Sequence, residues 1–204
     1  MSRFAPNPWG DGRRARIGLL GGSFNPAHDG HRHVAELALK LLRLDQVWLL
    51  VSPQNPLKPA AGMALLADRL ASARAVTGRH PRLIATDIER FLRTRVTVAT
   101  LASLRTRFRQ ASFVWLMGAD NLVQVSRWAR WPKLFQAVPV AILARAPYSW
   151  NSSSAKAARR FGPHRLPDAR SRGLVTKRPP AWVFLHTRLH PASATAIRNE
   201  RTWP

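Results

Sequence analysis

The chain of 204 residues contains no cysteine. Disulfides, thiolate metal sites and cysteine nucleophiles are thereby excluded, and the absence fits a reducing compartment such as the cytoplasm. Acidic residues are scarce: ten Asp and Glu stand against 33 Lys and Arg, a formal net charge of +23. No window reaches the roughly 18 uninterrupted apolar residues that a membrane span needs. The first 15 residues, MSRFAPNPWGDGRRA, hold no apolar stretch that could act as a signal core, and they read as a flexible tail. The GxxxxGKS/T spacing of a P-loop occurs nowhere, so any phosphate handling follows another strategy.

What is present is a 46% hydrophobic composition, enough for one well-buried core and against wholesale disorder. Residues 16–204 read as a single domain behind the tail. The positive field attracts polyanions, and nucleic acids and free nucleotides both qualify. Arginine enrichment also follows from genomic base composition, so charge alone does not assign a nucleic-acid role.

Apolar runs alternate with segments of helical period, the pattern of βαβ units around a parallel sheet. Strands are expected at 16–20, 46–51, 82–86, 112–117, 140–144 and 182–186. Helices are expected at 30–44, where Val34, Leu37, Ala38, Leu41 and Leu42 share a face, and at 63–76, 98–107, 132–138 and 193–200. Residues 150–180 break the rhythm with eight Lys or Arg and one Asp among Ser, Gly and Pro, which predicts a basic loop or mobile lid, within 151–180 of the domain. The fold class is α/β, a Rossmann-like doubly wound parallel sheet with helices on both faces. In such sheets ligands lie outside the carboxyl ends of the strands.

Four polar clusters matter for that reason. Gly21-Gly22-Ser23-Phe24-Asn25-Pro26-Ala27-His28-Asp29-Gly30-His31 follows the first strand. Its glycines let backbone approach a phosphate, and it opens a helix whose first amides favour an anion. His28 and His31, three apart, face one side and could donate to oxygens that gain charge in a displacement. Metal ligation, or two surface histidines at a helix start, are the other readings of the pair. Ser52–Lys58 follows the second strand and puts Lys58 on a proline-stiffened loop, either near phosphate or simply solvated. Gly118-Ala119-Asp120-Asn121 follows a later strand, with Trp128 and Trp131 downstream. Asp120 could accept from ribose hydroxyls or cap a helix, and an indole could stack on a pyridine ring or fill the core. Ser193-Ala194-Thr195-Ala196-Ile197-Arg198 could clamp an oxyanion at a helix start, or serve as an ordinary cap.

GGSFNPAHDGH resembles the signature of the HxGH nucleotidyltransferase superfamily, in the GGSFNP form of the bacterial nicotinate-nucleotide adenylyltransferases; the related pantetheine-phosphate adenylyltransferases carry a GTFDP-like version. The resemblance implies transfer of AMP from ATP to nicotinate mononucleotide, with Mg²⁺ carried on the ATP and no dedicated metal site in the protein. It implies that His28, His31, Lys58 and Arg198 do the catalytic work. ATP would be bound by Gly21, Gly22, Ser23, Phe24, His28, His31, Gly118, Asp120, Ser193, Thr195 and Arg198. The pyridine nucleotide would be bound by Asn25, Asn55, Lys58, Thr97, Asp120 and Trp128, Trp128 stacking on the ring and Trp131 being structural. Two positions depart from the family pattern: Ala99 stands where a polar or acidic residue is usual, and Ala194 replaces the second serine of an SSTxIR motif. The likeness spans roughly residues 16–150 and 182–200. A nicotinamide mononucleotide or pantetheine phosphate acceptor, and a basic nucleic-acid-binding protein, are the competing readings. The second is weakened by a basic segment with only Trp150 and Phe161 as stacking aromatics. Homo-oligomerisation is left open.

Overall fold

The computed structural model describes residues 5–54, 61–144, 154–187, Ala194 and Ile197. Seven strands form one sheet: β1 (Arg16–Gly22), β2 (Gln46–Val51), β3 (Leu83–Thr86), β4 (Ser112–Gly118), β5 (Val140–Leu143), β6 (Arg165–Leu166) and β7 (Trp182–Leu185). Their order is β3-β2-β1-β4-β5-β7-β6, and every pairing is parallel. The central strands are nearly continuous apolar runs because both faces of a parallel sheet are covered. Among the described residues, no helix is long and apolar enough to cross a membrane.

Strand alternation divides the core into two layers. Val47, Leu49, Val114, Leu116, Ala141 and Val183 point to one face, where they meet α1 (Asp29–Leu41) and α2 (Leu66–Thr77) through Ala35, Ala38, Leu39, Leu70 and Ala73. Ile17, Leu19, Trp48, Trp115, Met117 and Ile142 point to the other. There they meet α4 (Thr97–Arg107), α5 (Ala119–Gln124) and α6 (Trp131–Ala137), with the short α3 (Ile88–Phe91) at the edge. The doubly wound expectation holds. The expected strands and the four expected helices within the described residues all form, with ends shifted by a few residues, while α3 and α5 are too short to leave a period in the sequence.

Two stretches differ from their sequence reading. Residues 5–15 are anchored rather than loose: Pro6 is buried, and Asp11 accepts from Arg13 Nε at 2.7 Å and Nη2 at 2.6 Å. Those bonds hold the Asp11 carboxyl below its usual range. The Arg13 guanidinium lies 5.3 Å from the Trp48 ring centroid and 5.7 Å from that of Phe108. Partners more than 30 residues away cannot be read from a basic, Gly- and Pro-containing start.

The basic segment is likewise folded where it is described. It forms α7 (Lys156–Arg160), a 3-10 turn (Gly162–His164), β6 and a nine-residue 3-10 stretch (Asp168–Thr176). Ala157, Ala158 and Phe161 join one core layer, and Leu174 and Val175 the other. Phe161 stacks on Phe135 at 4.6 Å, its carbonyl accepts from Trp182 Nε1 at 2.7 Å, and Arg165 lies over Trp182 and Phe184. A few well-placed apolar residues outweigh the charge-rich composition that suggested a lid. Leu174→Ala should therefore destabilise the protein by about 2–5 kcal/mol in urea unfolding, the cost of a large-to-small core change. A loss of less than about 0.5 kcal/mol, typical of surface substitutions, would mean the stretch does not dock.

Candidate active site

The strand order reverses beside β1. The chain runs from β1 outward through β2 and β3, then returns to β4 on the other flank and continues to β5. Leu20 pairs with Leu116, so the turns after Gly22 and Gly118 leave the same edge of the sheet next to one another. That is the crevice in which open α/β sheets bind ligands. The first and third sequence clusters thus meet although about 90 residues of chain separate them.

Gly21 is a glycine for a reason that can be measured. A Cβ there would lie 2.5 Å from Cη2 of Trp115, a rigid ring packed from β4. Phe24 then takes φ 48°, a left-handed conformation uncommon for a bulky residue and of the kind that concentrates at functional sites. Its buried ring packs 4.9 Å from that of His31. Ser23 is buried too, and its hydroxyl makes no hydrogen bond among the described residues.

His28 is the extended residue that caps α1, and His31 lies in the helix's first turn. Their rings are 3.9 Å apart, centroid to centroid, at 44°. The His28 backbone N–H donates to His31 Nδ1 at 3.2 Å, so a neutral His31 carries its proton on Nε2. Both imidazoles are thereby fixed at the positive end of α1, where an anion is favoured.

Asn25 is committed to a neighbouring loop. Its Nδ2 donates to the Gly62 carbonyl at 2.8 Å, and its Oδ1 accepts from the Ala64 N–H at 3.1 Å. Asp120 is half-buried in the first turn of α5, directly after Gly118. Trp128 is half-buried and meets Trp115 edge to face at 6.4 Å. A chain of contacts therefore runs from Gly21 through Trp115 to Trp128. Trp131 is buried against Phe135 and Phe161 beneath Arg160, in the core. Thr97 is the first residue of α4 and half-buried, while Ala99 is exposed. Asn55, Lys58, Ser193, Thr195 and Arg198 lie outside the described residues; of the last motif, Ala194 and Ile197 are helical and half-buried. Among the described residues no group of three His, Asp or Glu could hold a metal ion.

Sequence reasoning passed over two buried ionisable residues at this edge. Arg69 sits in α2 among Leu66, Leu70 and Ala73, and its guanidinium donates to four backbone carbonyls: Ser23, Ser52, Pro53 and Ala64. Burial lowers its pKa from the usual arginine value. The missed signal was a cation inside an apolar i, i+3, i+4, i+7 stripe. Glu89, in α3, is the second. Burial raises its pKa, and hydrogen bonds from the side chains of Thr100 and Ser52 oppose that rise. Thr100 Oγ1 donates at 2.8 Å and lies 2.9 Å from Thr94 Oγ1.

Because the folded Glu89 holds its proton more tightly than the unfolded chain does, its contribution to stability is fully present at low pH and is lost as pH rises through its raised pKa. Glu89→Gln keeps the acceptor and cannot ionise. The stability of the native sequence minus that of Glu89→Gln should fall as pH rises from the ordinary glutamate range. Urea unfolding across pH reads this difference, and a flat or rising one would contradict the burial argument.

Residues 19–200 match the family described as cytidylyltransferase-like. A protein of Gluconacetobacter diazotrophicus named "Probable nicotinate-nucleotide adenylyltransferase" is 52% identical over 93% of this chain and 88% of its own length. One of the same name from Cereibacter sphaeroides is 51% identical over 92% of this chain and 98% of its own. Among solved structures, the Plasmodium falciparum nicotinic acid mononucleotide adenylyltransferase complexed with NaAD has the same fold. Its TM-score is 0.65 at 15% identity, covering 90% of this chain and 82% of that one. The chain belongs to the cytidylyltransferase-like family and, within it, to the nicotinate-nucleotide adenylyltransferases.

Proposed function

We propose that the protein transfers the adenylyl group of ATP to nicotinate mononucleotide, giving nicotinate adenine dinucleotide and pyrophosphate as a step of NAD biosynthesis. The observation that carries this reading is the pair of close, mutually tilted imidazoles at the start of α1, set after the Gly21–Gly22 turn at the point where the strand order reverses. The acceptor is supported by the name borne by relatives half-identical to this chain.

An oxygen of the mononucleotide 5′-phosphate attacks the α-phosphorus of ATP. The new P–O bond forms as the bond from the α-phosphorus to the bridging oxygen breaks, and pyrophosphate leaves with that electron pair. The nucleophile is already an anion, so no general base is required, and no covalent intermediate forms. Catalysis consists of positioning and neutralising charge. His28 and His31 donate to the α-phosphate oxygens, backed by the α1 amides and the buried Ser23 hydroxyl. Lys58 and Arg198 steady the phosphates and the departing pyrophosphate. Asp120 holds a nucleotide ribose, and Trp128, propped by Trp115, presents a face to the pyridine. Asn25 and Thr97 border the pyridine nucleotide, Asn25 by shaping the loop at 62–64. ATP enters as its Mg²⁺ complex, the ion travelling with the triphosphate. Absence of cysteine suits work in the cytoplasm.

A nucleic-acid role for the basic segment draws little support. Arg160 and Arg165 lie over core aromatics, so the rings are not offered to bases.

Pyrophosphate should be released when ATP and nicotinate mononucleotide are supplied together, with a higher kcat/KM than for nicotinamide mononucleotide. A preference for the amide, or for pantetheine phosphate, would overturn the acceptor. His28→Ala should lower kcat by about 100- to 1,000-fold, the scale for removing one transition-state donor, with the fold intact by circular dichroism. Turnover near normal would remove His28 from the mechanism.

A further inference from the structure

We infer that Arg69 is a positioning residue, a four-point clamp that fixes the histidine-bearing turn relative to the exit of β2. The inference rests on the reading above for its kinetic consequence, and on geometry for the clamp itself. Arg69 Nη1 donates to the Ser23 carbonyl at 2.8 Å and to the Ser52 carbonyl at 2.7 Å. Nη2 donates to the Pro53 carbonyl at 2.9 Å, and Nε to the Ala64 carbonyl at 2.9 Å. Three separate pieces of backbone therefore converge on one side chain: the turn after β1, the chain leaving β2, and the approach to α2.

The residue is 2% exposed, and among the described residues no carboxylate pairs with it. Burying a cation without a counter-ion is costly, so a cation placed there only to fill space would be replaced by a leucine at a gain in stability. What an apolar residue cannot do is satisfy four carbonyls. Among the described residues no backbone N–H donates to these oxygens, and a carbonyl withdrawn from water without a donor is destabilising. The planar guanidinium fork presents its donors in a fixed geometry, so it sets the relative positions of the three segments as well as satisfying them.

Asn25 bonds the same assembly from the other side, to Gly62 and Ala64. Ser52 completes it: its hydroxyl donates to the Gln54 carbonyl at 3.1 Å while its own carbonyl takes Arg69. His28 lies five residues beyond Ser23, so a shift of the Ser23 carbonyl is carried along a buried turn to the imidazole. A misplacement near 1 Å costs on the order of 100-fold in rate.

Lysine and methionine separate clamp from charge. Arg69→Lys keeps the positive charge but cannot span four acceptors in one plane, and Arg69→Met has neither. The experiment uses the full chain, well below the melting temperature of each variant. Both variants should lower kcat about 10- to 100-fold, and each should change kcat less than about threefold when introduced into the double variant His28→Ala, His31→Ala, where no imidazole remains to be positioned. Equal losses in both backgrounds, or full activity in Arg69→Lys, would overturn the clamp. Hydrogen exchange supplies a readout independent of turnover: amides of residues 22–28 and 61–65 should lose protection in Arg69→Met while those of α4 keep theirs. Unchanged protection at 22–28 would overturn it as well. If the native chain releases no pyrophosphate from ATP and nicotinate mononucleotide, the functional reading fails, and the exchange data alone decide the role of Arg69.

Discussion

The parallel pairing of β1 with β4 is the constraint on which the rest of the site depends. It brings the turn after Gly22 beside the turn after Gly118, where successive strands are laid down on opposite flanks. Helices leaving these two strands diverge to opposite faces, which opens a crevice above the sheet. The crevice inherits the positive end of α1 and the first turn of α5. Trp115 ties the two strands more closely still, because its indole leans on the bare backbone of Gly21 and its edge supports Trp128.

The polar groups around that crevice are expensive to bury, and the fold compensates each one locally. Arg69 is surrounded by carbonyls, and Glu89 receives the Thr100 hydroxyl as a donor. A strained Phe24 backbone is held by ring packing against His31. Such arrangements stabilise one geometry of the turns at some cost in overall stability, as expected where reacting groups must be held within a fraction of an ångström. The large positive charge fits the same picture, since both substrates and the leaving group are polyanions.

Much of this was legible in the sequence because the signals were local. Buried strands such as 46–51 are uniform apolar runs, and GGSFNPAHDGH advertises its turn, helix start and histidine pair within eleven residues. What escaped was nonlocal. Arg13 finds Trp48 and Phe108 across the chain, and Phe161 is placed by Phe135 and Trp182. The basic segment looked like a lid because its few apolar residues are outnumbered by cations, yet packing is decided by where Leu174 and Phe161 point. Arg69 was overlooked because arginines abound here, and only its place within an apolar stripe sets it apart. For Asn25 the resemblance offered a ligand contact, and the bonds of its amide to the 62–64 loop were not legible in the sequence.

The central claim is that ATP is held above the joined ends of β1 and β4 with its α-phosphate against His28 and His31. A crystal structure of the protein with a non-hydrolysable ATP analogue tests it most directly. The account predicts α-phosphate oxygens within hydrogen-bonding distance of both imidazoles and the triphosphate lying along the Gly21–Ser23 backbone. A nucleotide bound with its phosphates directed away from the start of α1 would contradict it.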